Sequence, residues 1–248
     1  MGKLSGKFAV VTGAAQGIGA GVVKRFLEDG VDAVALVDLN LEAAEATAKE
    51  LDPTGTRAFA FKCNVANPLD VERCFAEIIA KFGRVDILVN NAGIIRDRTI
   101  IKMPVEDWEL VLKIDLSALF YCCKQVLPGM IERQYGKIVN MSSMGFMGSH
   151  GQSNYAAAKH GVVALSRVLA KEYAKYNITS NAVCPAAVAT DMITAVEPEL
   201  LKKKMAAFPR CRPAEVSELA AVVSFLASDD SAFVNGERMI VTDGRMCL

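Results

Sequence analysis

Short apolar runs alternate along the chain with longer stretches in which apolar residues recur every three or four positions. The short runs are rich in β-branched residues and predict buried strands at 7–12, 33–38, 57–63, 85–90, 136–142, 178–184 and 238–242. The helical spacing predicts helices at 17–30, 41–51, 68–83, about 105–130, from Ser153 onward, 191–207 and 213–227. Strands that alternate with helices predict an α/β fold, built as one doubly wound domain around a seven-stranded parallel sheet.

The composition argues against several classes of protein. Lys and Arg total 28, as do Asp and Glu, and a net charge of zero argues against a nucleic-acid binder. No apolar run reaches the roughly 18 residues of a membrane span. Two histidines are too few for a zinc cluster, so no metal site is expected. Seven scattered cysteines without a C-x-x-C pair predict free thiols and a cytoplasmic location.

A glycine-rich turn follows the first predicted strand. The sequence "TGAAQGIG" runs from Thr12 to Gly19 and carries glycines at 13, 17 and 19. Glycines in a strand-to-helix turn let backbone N–H groups approach a pyrophosphate, and the helix N-terminus favours its negative charge. Glycines needed only for packing are the alternative interpretation.

An acidic residue, Asp38, ends the second predicted strand. A carboxylate at this point can accept hydrogen bonds from an adenosine ribose diol and would repel a 2′-phosphate. No Arg or Lys stands at 16, 39 or 40 to neutralise such a phosphate. The pattern favours NAD(H) over NADP(H), and the alternative is a surface carboxylate that begins a loop.

Tyr155 and Lys159 lie one helical turn apart near the start of a predicted helix. Taken alone, such a pair is typical of a solvated helix face. A phenol is a poor base at neutral pH, and an ammonium group beside it favours the phenolate. The spacing therefore also fits a catalytic acid–base pair.

Together these motifs resemble the short-chain dehydrogenase/reductase family. The matching residues are "TGAAQGIG", "NNAG" at 90–93, and Ser142 followed by Tyr155 and Lys159. The resemblance covers nearly the whole chain. Residues 91–111 and 151–162 are most similar to the branch of 3-oxoacyl-carrier-protein reductases and acetoacetyl-CoA reductases.

The resemblance implies a Rossmann-type domain over 1–248, with a nucleotide-binding half at about 1–140. The catalytic and substrate half, about 141–248, includes a substrate loop at about 191–212. Hydride transfer between a nicotinamide cofactor and a ketone or secondary alcohol is the implied reaction. The implied catalytic residues are Ser142, Tyr155, Lys159 and Asp115, with Ser143 as the alternative to Ser142. Cofactor contacts are implied for Gly13, Gln16, Gly17, Ile18, Gly19, Asp38, Asn64, Val65, Asn90, Ala92, Gly93, Tyr155, Lys159, Val188 and Thr190. Substrate contacts are expected from Ser142 and His150.

Three positions depart from the family pattern. Asp115 stands where the family has an Asn, and Asp cannot donate an amide hydrogen. We expect the protein to be active nonetheless, and Asp115→Asn to change its rate less than tenfold. Ala186 follows Pro185 where glycine is usual, so the turn must be re-routed or already compatible with Ala. Asn64 replaces a common Asp beside the adenine, and adenine binding should survive.

The substrate is the least defined expectation. An acyl thioester reductase is favoured, with a hydroxysteroid or other hydrophobic secondary-alcohol dehydrogenase as the alternative. A more distant alternative is a structural subunit that binds the cofactor but is catalytically weak. The resemblance also implies a homotetramer and an acidic carrier protein as partner, with Arg133 as a candidate docking residue near the site entrance. Tyr176, where such reductases often have Arg, weakens the carrier expectation.

Overall fold

The computed structural model describes residues 2–190 and 197–245. It contains seven strands, all parallel, in one sheet: β1 (Phe8–Thr12), β2 (Ala33–Asp38), β3 (Ala58–Lys62), β4 (Ile87–Asn90), β5 (Gly136–Met141), β6 (Ile178–Pro185) and β7 (Arg238–Val241). The α-helices are α1 (Gly17–Glu28), α2 (Leu41–Leu51), α3 (Pro68–Phe82), α4 (Val105–Leu112), α5 (Ala118–Arg133), α6 (Ser153–Tyr173), α7 (Pro198–Met205) and α8 (Val216–Ala227). The predicted doubly wound α/β sheet is confirmed.

The strand order is β3-β2-β1-β4-β5-β6-β7, so the chain changes direction across the sheet between β1 and β4. Strands β1 and β4 are almost continuously buried because helices cover both faces of the sheet. One core cluster includes Val22 and Phe26 of α1, and the other includes Phe75 and Ile78 of α3. Ligands of open α/β sheets bind outside the carboxyl ends of the strands at such a switch point.

Helix α3 begins and ends where the sequence predicts. Pro68 occupies its first turn, and the Asn67 side chain accepts a hydrogen bond from the backbone N–H of Leu69. Gly83 ends the helix in the left-handed region, with φ of 78°. A proline at the start and a glycine just beyond the end are the favoured helix termini.

The predicted long helix at 105–130 is wrong in one respect, because it is interrupted. Residues Lys113–Ser117 form a π-helical segment between α4 and α5, and α5 then continues to Arg133. A π-helical turn inserts one extra residue per turn and is frequent at functional sites. The buried Asp115 lies at the middle of this segment.

The described parts of the last two predicted helices differ from the expected bounds. Of the helix predicted at 191–207, the structure describes Pro198–Met205 as helical, and 191–196 lie outside the described residues. The helix predicted at 213–227 begins at Val216, because Glu215 and Glu218 form a reciprocal capping box there.

Within the described residues, no helix is long and apolar enough to cross a membrane. All six described cysteines are free thiols, and five of them are buried.

Candidate active site

A cavity of about 930 Å³ opens at the carboxyl ends of the strands. It collects most of the residues that the sequence singles out. The predicted site residues that line it are Gly13, Gln16, Gly17, Ile18, Asp38, Asn64, Val65, Ala92, Gly93, Asp115, Ser142, Tyr155, Lys159, Val188 and Thr190.

The glycine turn between β1 and α1 forms one wall of the cavity. A Cβ on Gly13 would lie 2.8 Å from the Cα of Ala92, and one on Gly19 would overlap the carbonyl oxygen of Gly13. Gly19 is buried and supports the turn from below without lining the cavity. The first turn of α1 has no side-chain cap, so its N–H groups suit an anion. This backbone cradle fits the pyrophosphate of a dinucleotide.

Asp38 occupies the cavity end formed by β2. One carboxylate oxygen accepts from the Ala15 N–H at 3.0 Å, and the other accepts from the Asn40 N–H at 3.0 Å. Both bonds hold the carboxylate beside the glycine turn. Among the described lining residues, the basic ones are Lys159 and Arg245. Lys159 pairs with an acidic residue described below, and the Arg245 guanidinium lies over the Phe208 ring.

Asn64 and Val65 line the same cavity after β3. The Asn64 backbone N–H donates to Asp70, and its side-chain oxygen accepts from the Ala66 N–H at 3.1 Å. The Asn64 oxygen therefore shapes the turn, which leaves the amide NH₂ as the side-chain group suited to a ligand.

Asn90, which is predicted to contact the cofactor, does not line the cavity. Asn90 is buried below the cavity, where its amide donates to the Asn140 side-chain oxygen at 2.8 Å. The neighbouring Asn91 lines the cavity instead, and its amide donates to the carbonyl oxygens of Thr12 and Gly13. The motif "NNAG" contains both asparagines, so it also points to Asn91. The alternation of side chains along the strand does not by itself distinguish Asn90 from Asn91.

Ser142 follows β5 and is buried at the cavity wall. Its hydroxyl donates to the backbone carbonyl of Lys159 at 2.8 Å. Ser143 accepts from the Gly145 N–H and caps a short 3₁₀ helix. Both serines line the cavity. Ser143 is committed to the local turn, which favours Ser142 as the residue that meets a substrate oxygen.

Tyr155 and Lys159 project from the first turns of α6 toward Ser142. The Lys159 ammonium lies 5.5 Å from the centre of the Tyr155 ring and donates to the Met141 carbonyl at 3.0 Å. A Cβ on Gly145 would lie 2.9 Å from the Tyr155 ring, so the glycine makes room for the phenol. The Tyr155 backbone N–H is bonded to the side chain of Asn154. These contacts hold the pair in one orientation.

Asp115 is fully buried beside Lys159. Its Oδ2 lies 3.1 Å from the lysine Nζ, and its Oδ1 accepts from the Ile94 N–H at 2.9 Å. Burial raises the pKa of Asp115 above its usual range, against the opposing attraction of Lys159. Burial alone would lower the pKa of Lys159, but its interactions with Asp115, Tyr155 and Cys184 together outweigh burial and raise it. The distance of 3.1 Å between the carboxylate and the ammonium makes the two groups an ion pair.

His150, from which a substrate contact is expected, does not line the cavity. The residue is exposed in a turn, while its neighbours Ser149 and Gln152 line the cavity. Because His150 is close to Tyr155 in the sequence, we expect it near the site. In the structure, its neighbours in the turn line the cavity instead.

The loop after β6 accommodates Ala186 without strain. Its N–H donates to the Val241 carbonyl at 3.0 Å, and Ala186 is not among the described non-glycine residues with positive φ. The turn is therefore already compatible with alanine. Val188 pairs with Ala214, and Thr190 lies 3.6 Å from the position of a Cβ on Gly17.

Further residues also line the cavity. Met141, Met144 and Met147 form an adaptable apolar part of the wall. Arg245, which follows β7, adds a positive charge, and no sequence motif indicated it. No group of three His, Cys, Asp or Glu side chains in the described ranges could hold a metal ion.

The expectation that Arg133 lies near the site entrance is wrong within this chain. Arg133 precedes β5, whereas Ser142 follows it, so the strand separates them by about 20 Å. Its guanidinium donates to the Val85 carbonyl at 2.7 Å and lies 3.8 Å from Asp86. Tyr176 packs against Tyr173 in the 3₁₀ turn after α6.

Comparison with known proteins agrees with this geometry. A family model described as enoyl-(acyl carrier protein) reductase matches residues 13–245. A 3-oxoacyl-acyl-carrier-protein reductase of Staphylococcus epidermidis is 36% identical over 239 residues, 96% of this chain and 98% of the relative. A Chlamydia pneumoniae protein of the same name is 37% identical and covers 97% of both chains. One from Thermotoga maritima is 36% identical over 99% of this chain and 100% of its own.

The similarity extends over the whole sheet and over all the motifs that surround the cavity. The chain belongs to the short-chain dehydrogenase/reductase family, oxidoreductases that act on CH–OH groups.

Proposed function

We propose that this protein interconverts a 3-oxoacyl thioester and its 3-hydroxy form, with NAD(H) preferred over NADP(H). The observation that carries the proposal is the convergence of Ser142, Tyr155 and Lys159 on the cavity that also holds the glycine turn and Asp38. The names of the relatives support the thioester class. The proposal divides the chain into a nucleotide-binding half, about 1–140, and a catalytic half, about 141–248.

The cofactor contacts follow the cavity from one end to the other. Asp38, Asn64 and Val65 would hold the adenosine, and the N–H groups of the glycine turn would hold the pyrophosphate. Ala92, Gly93, Val188 and Thr190 also line the cavity and would hold the nicotinamide side. When bound, the nicotinamide supplies or accepts the hydride.

The remaining chemistry is proton transfer by this chain's own residues. Tyr155 donates its phenolic proton to the carbonyl oxygen during reduction and removes it during oxidation. Lys159 keeps a positive charge beside the ring and stabilises the phenolate. Ser142 orients the substrate oxygen after exchanging its bond to the Lys159 carbonyl for one to the substrate.

NAD(H) preference rests on the surroundings of Asp38. Its carboxylate is held by two backbone N–H groups. The lining residues around it, Val37, Leu39 and Asn64, carry no positive charge. A 2′-phosphate at this end would meet the fixed negative charge of Asp38.

The carrier-protein partner is a weaker part of the proposal, because Arg133 lies at the opposite end of the sheet and Tyr176 is uncharged. These two observations favour the second candidate, an NAD-linked dehydrogenase of hydrophobic secondary alcohols such as hydroxysteroids. The three methionines of the wall suit either substrate. Acetoacetyl-CoA, an acetoacetyl carrier protein and a hydroxysteroid should be compared as substrates to separate these two classes.

A homotetramer remains part of the proposal. Large apolar side chains are exposed on the helices expected to form the interfaces: Val105, Trp108, Leu110, Phe120 and Val168. Light scattering should give a mass above one chain for the wild type and a lower mass for Phe120→Glu. A cytoplasmic location stays a prediction from the free cysteines.

The test of the proposed function is turnover with NADH and NADPH, using acetoacetyl-CoA as the ketone. Crotonyl-CoA is the matched control, since it presents a C=C bond in place of the C=O bond. NADH-dependent reduction of acetoacetyl-CoA alone is the expected result. Turnover of crotonyl-CoA alone would replace the proposed reaction with enoyl reduction, and a preference for NADPH would overturn the role of Asp38. Reaction of steroids alone would support the second candidate.

A further inference from the structure

A buried ion pair of Asp115 and Lys159 forms part of the cavity floor. The Asp115 carboxylate is bound on one side by the Ile94 N–H at 2.9 Å and on the other by the Lys159 ammonium at 3.1 Å. Asp115 is 0% and Lys159 is 4% exposed. Neither group can turn to solvent, so the charge of each is felt locally and is weakly screened.

Few other titratable groups contribute to the net charge around this pair. Those that face Lys159 are Asp115 from the π-helical segment, Tyr155 from α6 and Cys184 from β6. Burial raises the pKa of the Cys184 thiol, which keeps it neutral. Asp115 and Lys159 therefore contribute charges that cancel.

The pair borders the part of the cavity that also contains Gly93 and Tyr155. A Cβ built on Gly93 would lie 2.8 Å from Asp115 Oδ2 and 3.3 Å from Lys159 Nζ. The missing side chain of Gly93 is thus what lets its backbone pack against both charged groups at the edge of the cavity. A charge on a ligand in this part of the cavity interacts with both members of the pair.

We infer that Asp115 is a positioning residue whose carboxylate neutralises Lys159 and thereby favours the oxidised, positively charged nicotinamide over the reduced, neutral one. With a neutral residue at 115, the ammonium would act alone and repel the oxidised form. The inference rests on the proposed function, because it requires a nicotinamide cofactor at this end of the cavity. It assigns a charge-setting role to a residue that departs from the family's usual Asn.

The experiment measures the dissociation constants of NAD⁺ and NADH by calorimetry, without substrate. Asp115→Asn should raise the ratio of the NAD⁺ constant to the NADH constant about fivefold, as expected for unit charges separated by several ångströms in a partly polar site. Asp115→Ser, which also removes the carboxylate, should raise the same ratio. Asp32→Asn is the matched control: Asp32 accepts from the Gly6 N–H at the opposite end of the sheet, and the ratio should not change.

The ratio cancels any effect that weakens both cofactor forms equally, including a loss of packing. An unchanged ratio in Asp115→Asn, with both forms still bound, would overturn the inference and leave the proposed function standing. If Asp115→Asn does not fold, Asp115→Ser decides, and an unchanged or lowered ratio there would overturn the inference. Failure of the wild type to bind either form would contradict the proposed function, and the inference with it. A shifted ratio without turnover of any ketone would contradict the proposed reaction alone.

Discussion

The carboxylate of Asp38 accepts a hydrogen bond from the backbone N–H of Ala15 at 3.0 Å. This bond joins the end of β2 to the glycine turn after β1, two segments that form neighbouring walls of the cavity. It fixes the negative charge of Asp38 relative to the phosphate cradle. Cofactor choice is therefore tied to the shape of the turn.

Asp38→Ser should reverse the cofactor preference. Removing the carboxylate takes away the acceptors for a ribose diol and the repulsion of a 2′-phosphate. We expect the kcat/KM for NADH to fall about 10- to 100-fold, the range for a hydrogen bond to a charged group, while that for NADPH rises. Steady-state kinetics with both cofactors measure this. Asp32→Ser, distant from the cavity, should leave the preference unchanged, and an unaltered preference in Asp38→Ser would refute the assignment.

Tyr155→Phe should remove proton transfer and retain cofactor binding. The ring and its contact with Gly145 remain, and only the hydroxyl is lost. We expect kcat to fall by about 10² to 10⁴, the usual contribution of a general acid or base. Tyr173→Phe is the control, since that ring packs against Tyr176 outside the cavity. Wild-type turnover by Tyr155→Phe would favour the alternative of a structural subunit.

Asp115→Asn and Asp115→Leu should differ in both rate and stability. Asn keeps an oxygen for the Ile94 N–H, and Lys159 keeps the Met141 carbonyl, so we expect kcat to change less than tenfold. Leu leaves the Ile94 N–H and the Lys159 ammonium without Asp115, at a cost of about 3–5 kcal/mol in the free energy of unfolding. Urea unfolding and single-turnover kinetics distinguish the two variants. A complete loss of activity in Asp115→Asn would contradict this account.

Gly93→Ala should disturb the catalytic lysine without touching the phosphate cradle. Its Cβ would lie 2.8 Å from Asp115 Oδ2, so the carboxylate or the backbone must shift. Small displacements of catalytic groups cost up to about a hundredfold, and we expect kcat to fall about 10- to 100-fold. Gly129→Ala in α5 is the control, because its nearest neighbour is the flexible end of Arg133. Equal kcat values for Gly93→Ala and the wild type would show that the pair tolerates displacement.

Asp52 should make stability depend on pH in the acid range. Burial would raise its pKa, but hydrogen bonds from Thr54, Arg57 and Ala58 outweigh burial and lower the pKa to about 2. The unfolded value is about 3.9, so its contribution is complete above that pH and is lost as the pH falls toward 2. Allowing for solvent screening, we expect the contribution to be about 1–2 kcal/mol.

The measurement for Asp52 is urea unfolding of the wild type and Asp52→Asn at about pH 6 and about pH 3. The wild type should be more stable than the variant at the higher pH, and the difference should shrink at the lower one. A difference that does not change with pH would show that Asp52 has the same pKa in the folded and unfolded states.

Most strands, and the helices with clear termini, were predictable because their signals are local. β-branched runs define the strands, and Pro68 and Gly83 define the ends of α3. The interruption at Lys113–Ser117 carries no local signal, since "LKIDLS" has good helix formers on both sides. Its wider turn is stabilised by contacts of Asp115 with Ile94 and Lys159, residues far away in the sequence.

The sequence by itself determined the α/β class, the glycine turn, the acidic residue after β2 and the Tyr155–Lys159 spacing. Each of these depends on periodicity or on adjacency along the chain. Only the tertiary structure decided that Asn91 and not Asn90 lines the cavity, that His150 turns away, and that Asp115 pairs with Lys159. The direction of a side chain at the end of a strand or in a turn depends on what packs against it. That information comes from segments tens of residues away, which meet only when the sheet assembles.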